Sequence, residues 1–382
     1  MPTSKRQKIV ILNQAANYLT IGLANAFNQK FDEVVLIAGS IHVQGEELEK
    51  DIYWHKINLW QEAPTSKKLL SFLKALFNMW WLLMTKYRHH DVLFVSVPPM
   101  GYLLNLILPH RFSMLIWDVY PDIFKITGMK ETHPVYKIWS YLNKKSFKKA
   151  YRLFTISEKM ADLLEKYVKR NKIIIQPIWS IFQDNQKIEK HNNKFIKQHQ
   201  LEGKFIVQYS GNIGLTHNVE VLVDIAEKLK HNSNILFQII GRGPRKKHLE
   251  RLVKEKNLPN CMFLSFQSDD MFPYSLSAAD LGVVILDEKT SKGSVPSKSF
   301  NLMSYGIPSL YIASKDSQLA VYTKRYQHAK LFSKENLSDV VKWIEMLSNS
   351  KDTQSFMSKN ALKAAQDFKR DNADKFVDKY LN

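Results

Sequence analysis

Residues 294–309 include the side chains best suited to bind a phosphate group. Ser297 is a natural helix N-cap, because its hydroxyl can accept a hydrogen bond from an amide of the first turn. Gly306, followed by Pro308, marks the predicted helix end. The free amides and positive dipole end of such a helix suit an anion, and Lys298 would lie in the same turn. An ordinary loop–helix–strand unit with a solvent-facing lysine fits the spacing equally well.

Two glycine-containing turns follow predicted strands and could add phosphate contacts. Gly211 and Gly214 come after a strand over 205–209, where glycine allows a ligand to approach the backbone closely. Arg242 and Lys246 come after the next strand and could bind a phosphate, the arginine in a bidentate way. The alternatives are a tight strand-to-helix turn for the first segment and a solvated basic face for the second.

Aromatic or polar side chains follow two further predicted strands. Phe266 and Gln267 could hold a nucleotide base by stacking and backbone hydrogen bonds, although an apolar loop plug explains them at least as well. Asp118 and Asp122 lie four residues apart around a turn, and a carboxylate there could orient or deprotonate a hydroxyl group. Capping of a helix or turn accounts for these two acids equally well.

The alternation of strand and helix patterns predicts the elements that must position these groups. Buried apolar strands separated by helices indicate parallel sheets covered on both faces. We therefore expect an α/β fold of two tandem Rossmann-like domains facing across a cleft, with ligands beyond the carboxyl ends of the strands. The predicted parts are a first domain over 1–180, a linker over 181–204, a second domain over 205–365, and a C-terminal helix over 366–382 that could return to the first domain.

Composition narrows the class of protein. The 382 residues include 55 basic and 36 acidic side chains, and the net charge of +19 favours anionic partners. No nucleic-acid-binding motif is visible, so we expect a membrane face or a phosphate-bearing substrate rather than nucleic acid. Cys261 stands alone, which excludes an intrachain disulfide and a Cys-rich metal site. Without a signal-peptide pattern or a spanning apolar segment, we expect a cytoplasmic protein, peripheral to the inner face of the membrane.

One predicted helix, over 65–88, has an unusually wide apolar face. Its polar residues form a single narrow stripe that includes Lys74, and the apolar remainder includes Trp80 and Trp81. Together with the flanking basic residues, this pattern predicts an interfacial helix that contacts an anionic membrane. The alternative is a helix buried between the sheet and a neighbouring helix.

Several of these segments occur in an order that resembles one family. The second half of the chain resembles the donor domain of GT-B glycosyltransferases of family 4, in particular enzymes that build bacterial cell-surface polysaccharides. The first half resembles their acceptor domain more faintly, at 118–122 and 156–158. The motifs that carry the resemblance in the second half are 209–214, 241–244, 278–282, 295–298 and 303–308.

The resemblance implies a retaining enzyme that takes a sugar from a nucleotide-sugar donor, a UDP-sugar above all, and needs no metal or other cofactor. Its acceptor would be a lipid-linked or growing glycan. The helix starting at Ser297 would direct its amides at the donor diphosphate, and Lys298 would stabilise charge on the leaving phosphate. Asp118 would act on the acceptor hydroxyl, as a base or as an orienting group. The implied donor-binding residues are Gly211, Asn212, Gly214, Arg242, Lys246, Phe266, Gln267, Ser294, Val295, Pro296, Ser297, Lys298 and Asn301.

The chain departs from the family pattern where the donor sugar would be held. Many members have two glutamates eight positions apart, one at the sugar and one at the ribose, where this chain has Gly293 and Asn301. An Arg and a Lys of the first donor loop correspond to Asn212 and His217. The glycine-rich loop after the first strand is replaced by residues 13–16.

These departures leave the sugar contact and the activity open. Asn301 can still form a hydrogen bond with a ribose hydroxyl, but Gly293 has no side chain, so Asp287 and Glu288 become candidates for the sugar contact. One alternative is a nucleotide-sugar epimerase of the same architecture. The other is a degenerate GT-B module that binds a glycan or a partner enzyme, which the missing glutamates favour.

Overall fold

The computed structural model describes residues 7–60, 65–183, 186–214, 218–288 and 291–382. They form two compact units. The first comprises Met1–Ile181 with Lys369–Asn382, and the second comprises Phe182–Phe368.

A seven-stranded sheet forms the centre of the first unit. Up to residue 181 its strands and helices are β1 (Lys8–Leu12), β2 (Ala15–Ala16), α1 (Tyr18–Asn28), β3 (Glu33–Ala38), β4 (Ser40–Ile41), β5 (Tyr53–Lys56), α2 (Thr65–Thr85), β6 (Asp91–Val95), β7 (Phe112–Ile116), α3 (Pro134–Lys149), β8 (Leu153–Thr155), α4 (Glu158–Leu164) and β9 (Ile173–Ile175). The strand order is β5-β3-β1-β6-β7-β8-β9, and every pairing is parallel. The apolar runs of its inner strands are buried, as expected for strands covered on both faces.

Crossover direction places the helices of the first unit on the two faces of this sheet. Because parallel crossovers are right-handed, α1 lies on one face, while α2, the 3-10 turn Gly101–Leu106 and α3 lie on the other. The 3-10 turn contacts both α2 and α3. The crossover from β8 to β9 runs in the same direction as that from β7 to β8, so α4 lies on this second face as well, beyond α3.

A six-stranded parallel sheet forms the centre of the second unit. Its strands and helices are α5 (Lys194–His199), β10 (Phe205–Ser210), α6 (Glu220–Lys228), β11 (Ile235–Ile240), α7 (Lys246–Glu255), β12 (Cys261–Leu264), α8 (Phe272–Ser277), β13 (Leu281–Ile285), α9 (Ser297–Ser304), β14 (Ser309–Ile312), α10 (Gln318–Tyr326), β15 (Ala329–Phe332), α11 (Leu337–Asn349) and α12 (Lys351–Ala365). The strand order is β12-β11-β10-β13-β14-β15. The expected α/β fold with two Rossmann-like sheets is confirmed.

Residues of the segment predicted as a linker, 181–204, form side-chain contacts with the second unit. Lys190 Nζ lies 2.5 Å from the Asp280 carboxylate, and the Asn193 side chain donates a hydrogen bond of 2.8 Å to the Tyr274 carbonyl oxygen. Phe195 in α5 is fully buried. The polar composition of this segment therefore reflects a short helix held by side-chain hydrogen bonds and ion pairs.

The last helix, α13 (Asn372–Leu381), belongs to the first unit and packs against α1. The rings of Phe27 and Tyr380 meet edge to face at 5.2 Å. Phe376 stacks on Phe154 of β8 at 4.0 Å. Aromatic contacts of this kind explain why the chain end is held on this face of the sheet.

Candidate functional site

A cavity of about 380 Å³ opens at the carboxyl ends of the strands in the second unit. This is the edge of a parallel sheet where ligands usually bind. The end of β10, the loop after it, α8 and the start of α9 form its walls. The described lining residues are Gln208, Ser210, Gly211, Asn212, Phe266, Phe272, Leu276, Val283, Ser294, Pro296, Ser297, Lys298, Asn301 and Leu302.

The helix α9 starts at this cavity, but its N-cap differs from the prediction. Pro296, rather than Ser297, is the N-cap residue, and no side chain caps the helix. The Ser299 hydroxyl donates a hydrogen bond of 2.7 Å to the Pro296 carbonyl oxygen. Proline's fixed φ already suits the residue before a helix, so Ser297 becomes the first helical residue and lines the cavity. The helix end follows the prediction, with Gly306 left-handed at φ +61°.

Lys298 is the most unusual side chain of the cavity. Its Nζ is shielded from solvent and has no hydrogen-bond partner within the described part of the chain. It lies 4.0 Å from the centre of the Tyr209 ring and 3.0 Å from the point where a Cβ on Gly211 would stand. Burial lowers the pKa of Lys298 to about 7. The ammonium group thus lacks a counter-charge, and the dipole at the start of α9 opposes it further.

Close contact between two loops creates the space for this lysine. A Cβ added to Gly241 would lie 1.9 Å from the Gly211 carbonyl oxygen, and one added to Gly243 would lie 2.3 Å from the Ile213 carbonyl oxygen. The loops after β10 and β11 therefore touch through their backbones, and only glycine fits at these two positions. Gly211 leaves room for the Lys298 side chain in the same way.

Several predicted donor-binding residues surround the cavity without lining it. The Arg242 guanidinium lies 5.6 Å from the centre of the Phe266 ring, which is itself 54% exposed and forms part of the wall. Lys246 Nζ donates a hydrogen bond of 3.2 Å to the Leu264 carbonyl oxygen, and the Gln267 side chain donates one of 2.8 Å to the Ser265 carbonyl oxygen. The predicted residues outside the described lining are Gly214, Arg242, Lys246, Gln267 and Val295.

The structure adds a buried glutamine pair that sequence reasoning missed. The Gln208 side-chain amide donates hydrogen bonds of 2.7 Å to the Gln238 side-chain oxygen and to the Ser275 carbonyl oxygen. The two glutamines are direct partners in the β10–β11 register. The sequence feature that could have indicated this pair is the single glutamine in each of two otherwise apolar strands. The aromatic wall at Phe272, which stacks on Phe182 at 5.1 Å, gave no such signal.

The described cavity lining contains a single ionisable side chain, Lys298. Asn301 forms part of the wall, as its place in the motif predicted, whereas Gly293 lies just before the loop. Asp287 and Glu288, the candidates for the sugar contact, line a different and much smaller hollow together with Lys334. His217 lies outside the described residues. The cavity is therefore suited to an anionic, hydroxyl-bearing ligand without help from a carboxylate.

The two acids of the first unit, Asp118 and Asp122, have opposite electrostatic environments. Asp118 follows β7, and burial raises the pKa of its carboxyl group to about 6. Burial also acts on Asp122, but hydrogen bonds from the hydroxyls of Tyr136 and Tyr167 and an ion pair with Lys125 at 3.0 Å hold its pKa below the usual range. Asp122 is thus a structural acid, and Asp118 is the candidate for chemistry.

The predicted membrane helix α2 is not fully buried. Trp81 is 54% exposed, Lys74 is exposed, and Trp80 is half-buried. Within the described ranges, no helix is long and apolar enough to span a membrane. The same residues contain no group of three His, Cys, Asp or Glu side chains placed to hold a metal ion.

Comparison with known proteins identifies the second unit. Residues 191–364 match the family model described as Glycosyl transferases group 1. The family match is thus confined to the second unit and spans less than half of the chain. The chain is 30% identical over 156 residues, 40% of its length, to Escherichia coli (strain K12) WcaI, which is named for glycosyl transfer in colanic acid biosynthesis. The matches span 38% and 55% of the first two curated relatives.

Solved structures show the same fold over nearly the whole chain. Sucrose-phosphate synthase from Thermosynechococcus elongatus has a TM-score of 0.77 at 13% identity and covers 98% of both chains. Anabaena Alr3699/HepE, crystallised with UDP-glucose, has a TM-score of 0.71 at 12% identity and covers 98% of this chain and 99% of its own. At these identities the likeness establishes the GT-B fold.

Proposed function

We propose that this GT-B protein is a retaining glycosyltransferase that transfers a sugar from a UDP-sugar to a lipid-linked or growing glycan. The observation that carries the proposal is the buried Lys298 Nζ, which has no counter-charge among the described residues although its side chain belongs to the cavity lining at the start of a helix. A nucleotide-sugar diphosphate would supply that charge. The UDP donor is further supported by HepE, which shares the fold and is named with UDP-glucose.

The chemistry follows from the position of this cation. As the bond between the sugar anomeric carbon and the diphosphate oxygen breaks, negative charge grows on the leaving phosphate. Lys298 and the amide end of α9 would stabilise that charge in a site shielded from water. The acceptor oxygen bonds to the anomeric carbon from the same face, and its proton passes to the leaving phosphate. Asp118, with its raised pKa, would orient the acceptor hydroxyl.

The remaining walls of the cavity suit the uridine part of the donor. Phe266 presents an exposed ring on which a base could stack, and Asn301 is placed on the α9 wall for a ribose hydroxyl. Because the described lining has no carboxylate, we propose that the reaction needs no metal bridge between donor and protein. A lipid-linked acceptor further implies that the enzyme works at a membrane surface, with α2 in contact with lipid.

Incubation with a panel of UDP-sugars and polyprenyl-linked acceptors tests this function. We expect UDP release that requires acceptor, continues with a chelator present, and yields a product with the anomeric configuration of the donor by NMR. An inverted product would contradict retention. Loss of turnover on chelation, restored by a divalent cation, would contradict metal independence.

The same cavity also favours a second candidate, a GT-B module that binds a nucleotide without turnover. Its basis is the lack of any carboxylate among the described lining residues, where relatives are expected to hold the sugar with glutamates. Such a module would bind UDP with the Lys298 dependence described here, but release none from any UDP-sugar with any acceptor. Calorimetry for binding and a UDP-release assay separate the two functions.

A further inference from the structure

Large exposed apolar side chains are concentrated on one surface of the first unit. On α2, exposed residues recur every fourth position, with Leu73 at 54%, Phe77 at 59% and Trp81 at 54%. On α3, Ile138 is 61% exposed and Tyr141 is 56% exposed. Single exposed apolar residues are common on protein surfaces, but a regular row on each of two neighbouring helices is not.

The opposite face of α2 packs against the sheet. Ser71, Ala75, Met79 and Leu83 recur at the same spacing of four and are buried. The outer row is therefore not needed for the core of this unit. Of the two alternatives for α2, burial therefore holds for one face only, since the other face is apolar and exposed, and membrane contact stays a prediction.

The topology joins α2 and α3 into one surface. Both helices lie on the same face of the sheet, and the 3-10 turn Gly101–Leu106 contacts both. Ile107, directly after that turn, is 67% exposed, the highest value among the large exposed apolar side chains described. An exposed apolar side chain thus directly follows the turn that contacts both helices.

The charges on this surface have a single sign. The sequences of α2 and α3 contain eight lysines, three and five respectively, and no Asp or Glu. Lys74 on α2 and Lys144, Lys145 and Lys148 on α3 are exposed. By contrast, α4, which lies beyond α3 on the same face, and α13, which packs against α1, carry both acids and lysines, so the acid-free region is limited to α2, the turn and α3. Selective absence of acids beside exposed apolar rows is the pattern of a surface that meets anionic lipid.

We propose that α2, Ile107 and α3 together form a bilayer-docking face that binds membranes rich in anionic lipid. The aromatic side chains Trp81 and Tyr141 suit the interfacial region of a bilayer, and long lysine side chains can reach the headgroups while their stems lie on the apolar surface. This inference deepens the proposed function and rests on it only for the reason to bind a membrane, since a lipid-linked acceptor is found there.

Vesicle sedimentation with substitutions on α3 tests the docking face. Wild-type protein should sediment with phosphatidylcholine vesicles that contain phosphatidylglycerol, and far less with phosphatidylcholine alone. Ile138→Ser with Tyr141→Ser should lower the partition coefficient about tenfold or more, because two apolar side chains no longer enter the bilayer. The matched control, Met346→Ser with Phe356→Ser, removes residues of 46% and 54% exposure from α11 and α12 and should sediment like wild type.

A charge variant gives an independent measurement. Lys144→Glu with Lys145→Glu should weaken sedimentation with anionic vesicles about tenfold and leave the thermal midpoint nearly unchanged, since both side chains are exposed. This pair also keeps the test valid if the α3 apolar variant does not fold. UDP titration of each variant provides a separate reading of the cavity, so loss of docking and loss of the proposed donor site can be told apart.

Three results would overturn the docking face. One is wild-type sedimentation of both α3 variants. Another is equal binding of wild-type protein to neutral and anionic vesicles. The last is a concentration-dependent dimer that the α3 substitutions dissolve while vesicles bind none of the proteins, which would assign the surface to a second copy of this chain.

Discussion

The carboxyl edges of the two parallel sheets each present one ionisable group, a lysine in one unit and an aspartate in the other, and burial shifts the pKa of both. In the second unit the edge presents Lys298, whose pKa burial lowers to about 7. In the first unit it presents Asp118, whose pKa burial raises to about 6. Desolvation moves each group towards its neutral form, so each is poised to change charge near neutral pH when a partner arrives. Under the proposed function, one sheet architecture supplies a site for an anion in one unit and for a hydroxyl group in the other.

Replacement of Lys298 should give the largest effect, a loss of UDP affinity. Lys298→Met should weaken UDP binding about a hundredfold or more, because a buried diphosphate would lose its paired charge, while uridine affinity should change little. Isothermal titration calorimetry with both ligands checks this. Lys246→Met is the control, since Lys246 Nζ is bonded to the Leu264 carbonyl oxygen outside the described cavity lining and should cost far less. Equal losses for UDP and uridine would contradict a diphosphate site.

Removal of the acid should affect turnover and leave donor binding intact. Asp118→Asn should lower kcat about a hundredfold without changing UDP affinity, because a neutral amide holds and orients the acceptor hydroxyl less strongly than a carboxylate does. In the wild-type enzyme, kcat should fall as pH drops through about 6, where Asp118 becomes protonated. That limb should be absent from the variant.

The neighbouring acid provides the contrast. Asp122→Asn should lower the free energy of unfolding, measured in urea, because the Asp122 carboxylate accepts hydrogen bonds from Tyr136 and Tyr167. A loss of kcat without loss of stability in this variant would reverse the roles assigned to the two acids.

Much of the fold could be predicted from sequence because the inner strands are short, continuous apolar runs. Two of the elements that escaped prediction lie at the edge of the second sheet. The strand β15 (Ala329–Phe332) has only four residues and includes the exposed Lys330, and α10 mixes polar and apolar positions. Neither has a local pattern strong enough to stand out, since both are held by contacts with distant residues.

Local pattern revealed the candidate site only in part. The helix α9 and the lysine in its first turn could be predicted, because turn residues and spacing specify them. The placement of Lys298 Nζ could not be predicted, since it depends on Tyr209 and Gly211 from another strand end. The N-cap is Pro296 rather than the predicted Ser297. This difference of one residue is within the usual uncertainty of a helix end.

The loop contact that makes room for the lysine should be sensitive to one methyl group. Gly241→Ala should lower the free energy of unfolding by about 2–3 kcal/mol, since its Cβ would meet the Gly211 carbonyl oxygen in addition to the strain of a positive φ. Gly203→Ala, with φ +72° and open space around the Cβ position, measures the strain alone and should cost about 1 kcal/mol. Urea unfolding compares them. Equal costs would mean that the two loops are not in tight contact.

Proton uptake on ligand binding gives the smallest effect and the sharpest test of the lysine. Above about pH 7 the free Lys298 is mostly neutral, so a diphosphate must bring a proton onto it, and UDP affinity should fall about fivefold between pH 7 and 8. In the absence of ligand, pH has the opposite effect on folding stability. The unfolded chain, in which the lysine has its ordinary pKa of 10.5, holds a proton that the folded chain has lost, so the free energy of unfolding should rise with pH above about 7.

Calorimetry of UDP binding in buffers of different ionisation enthalpy measures this proton directly. At about pH 8 the wild-type protein should take up most of one proton per UDP bound, and at about pH 6 far less. Lys298→Arg is the matched control, because a guanidinium keeps its charge and should bind UDP without uptake. Uptake that persists in the arginine variant would assign the proton to another group. UDP binding by wild type without proton uptake would mean that Lys298 is already charged in the empty cavity. Burial would then not shift the pKa of Lys298 as it shifts that of Asp118, and the comparison of the two sheet edges would not hold.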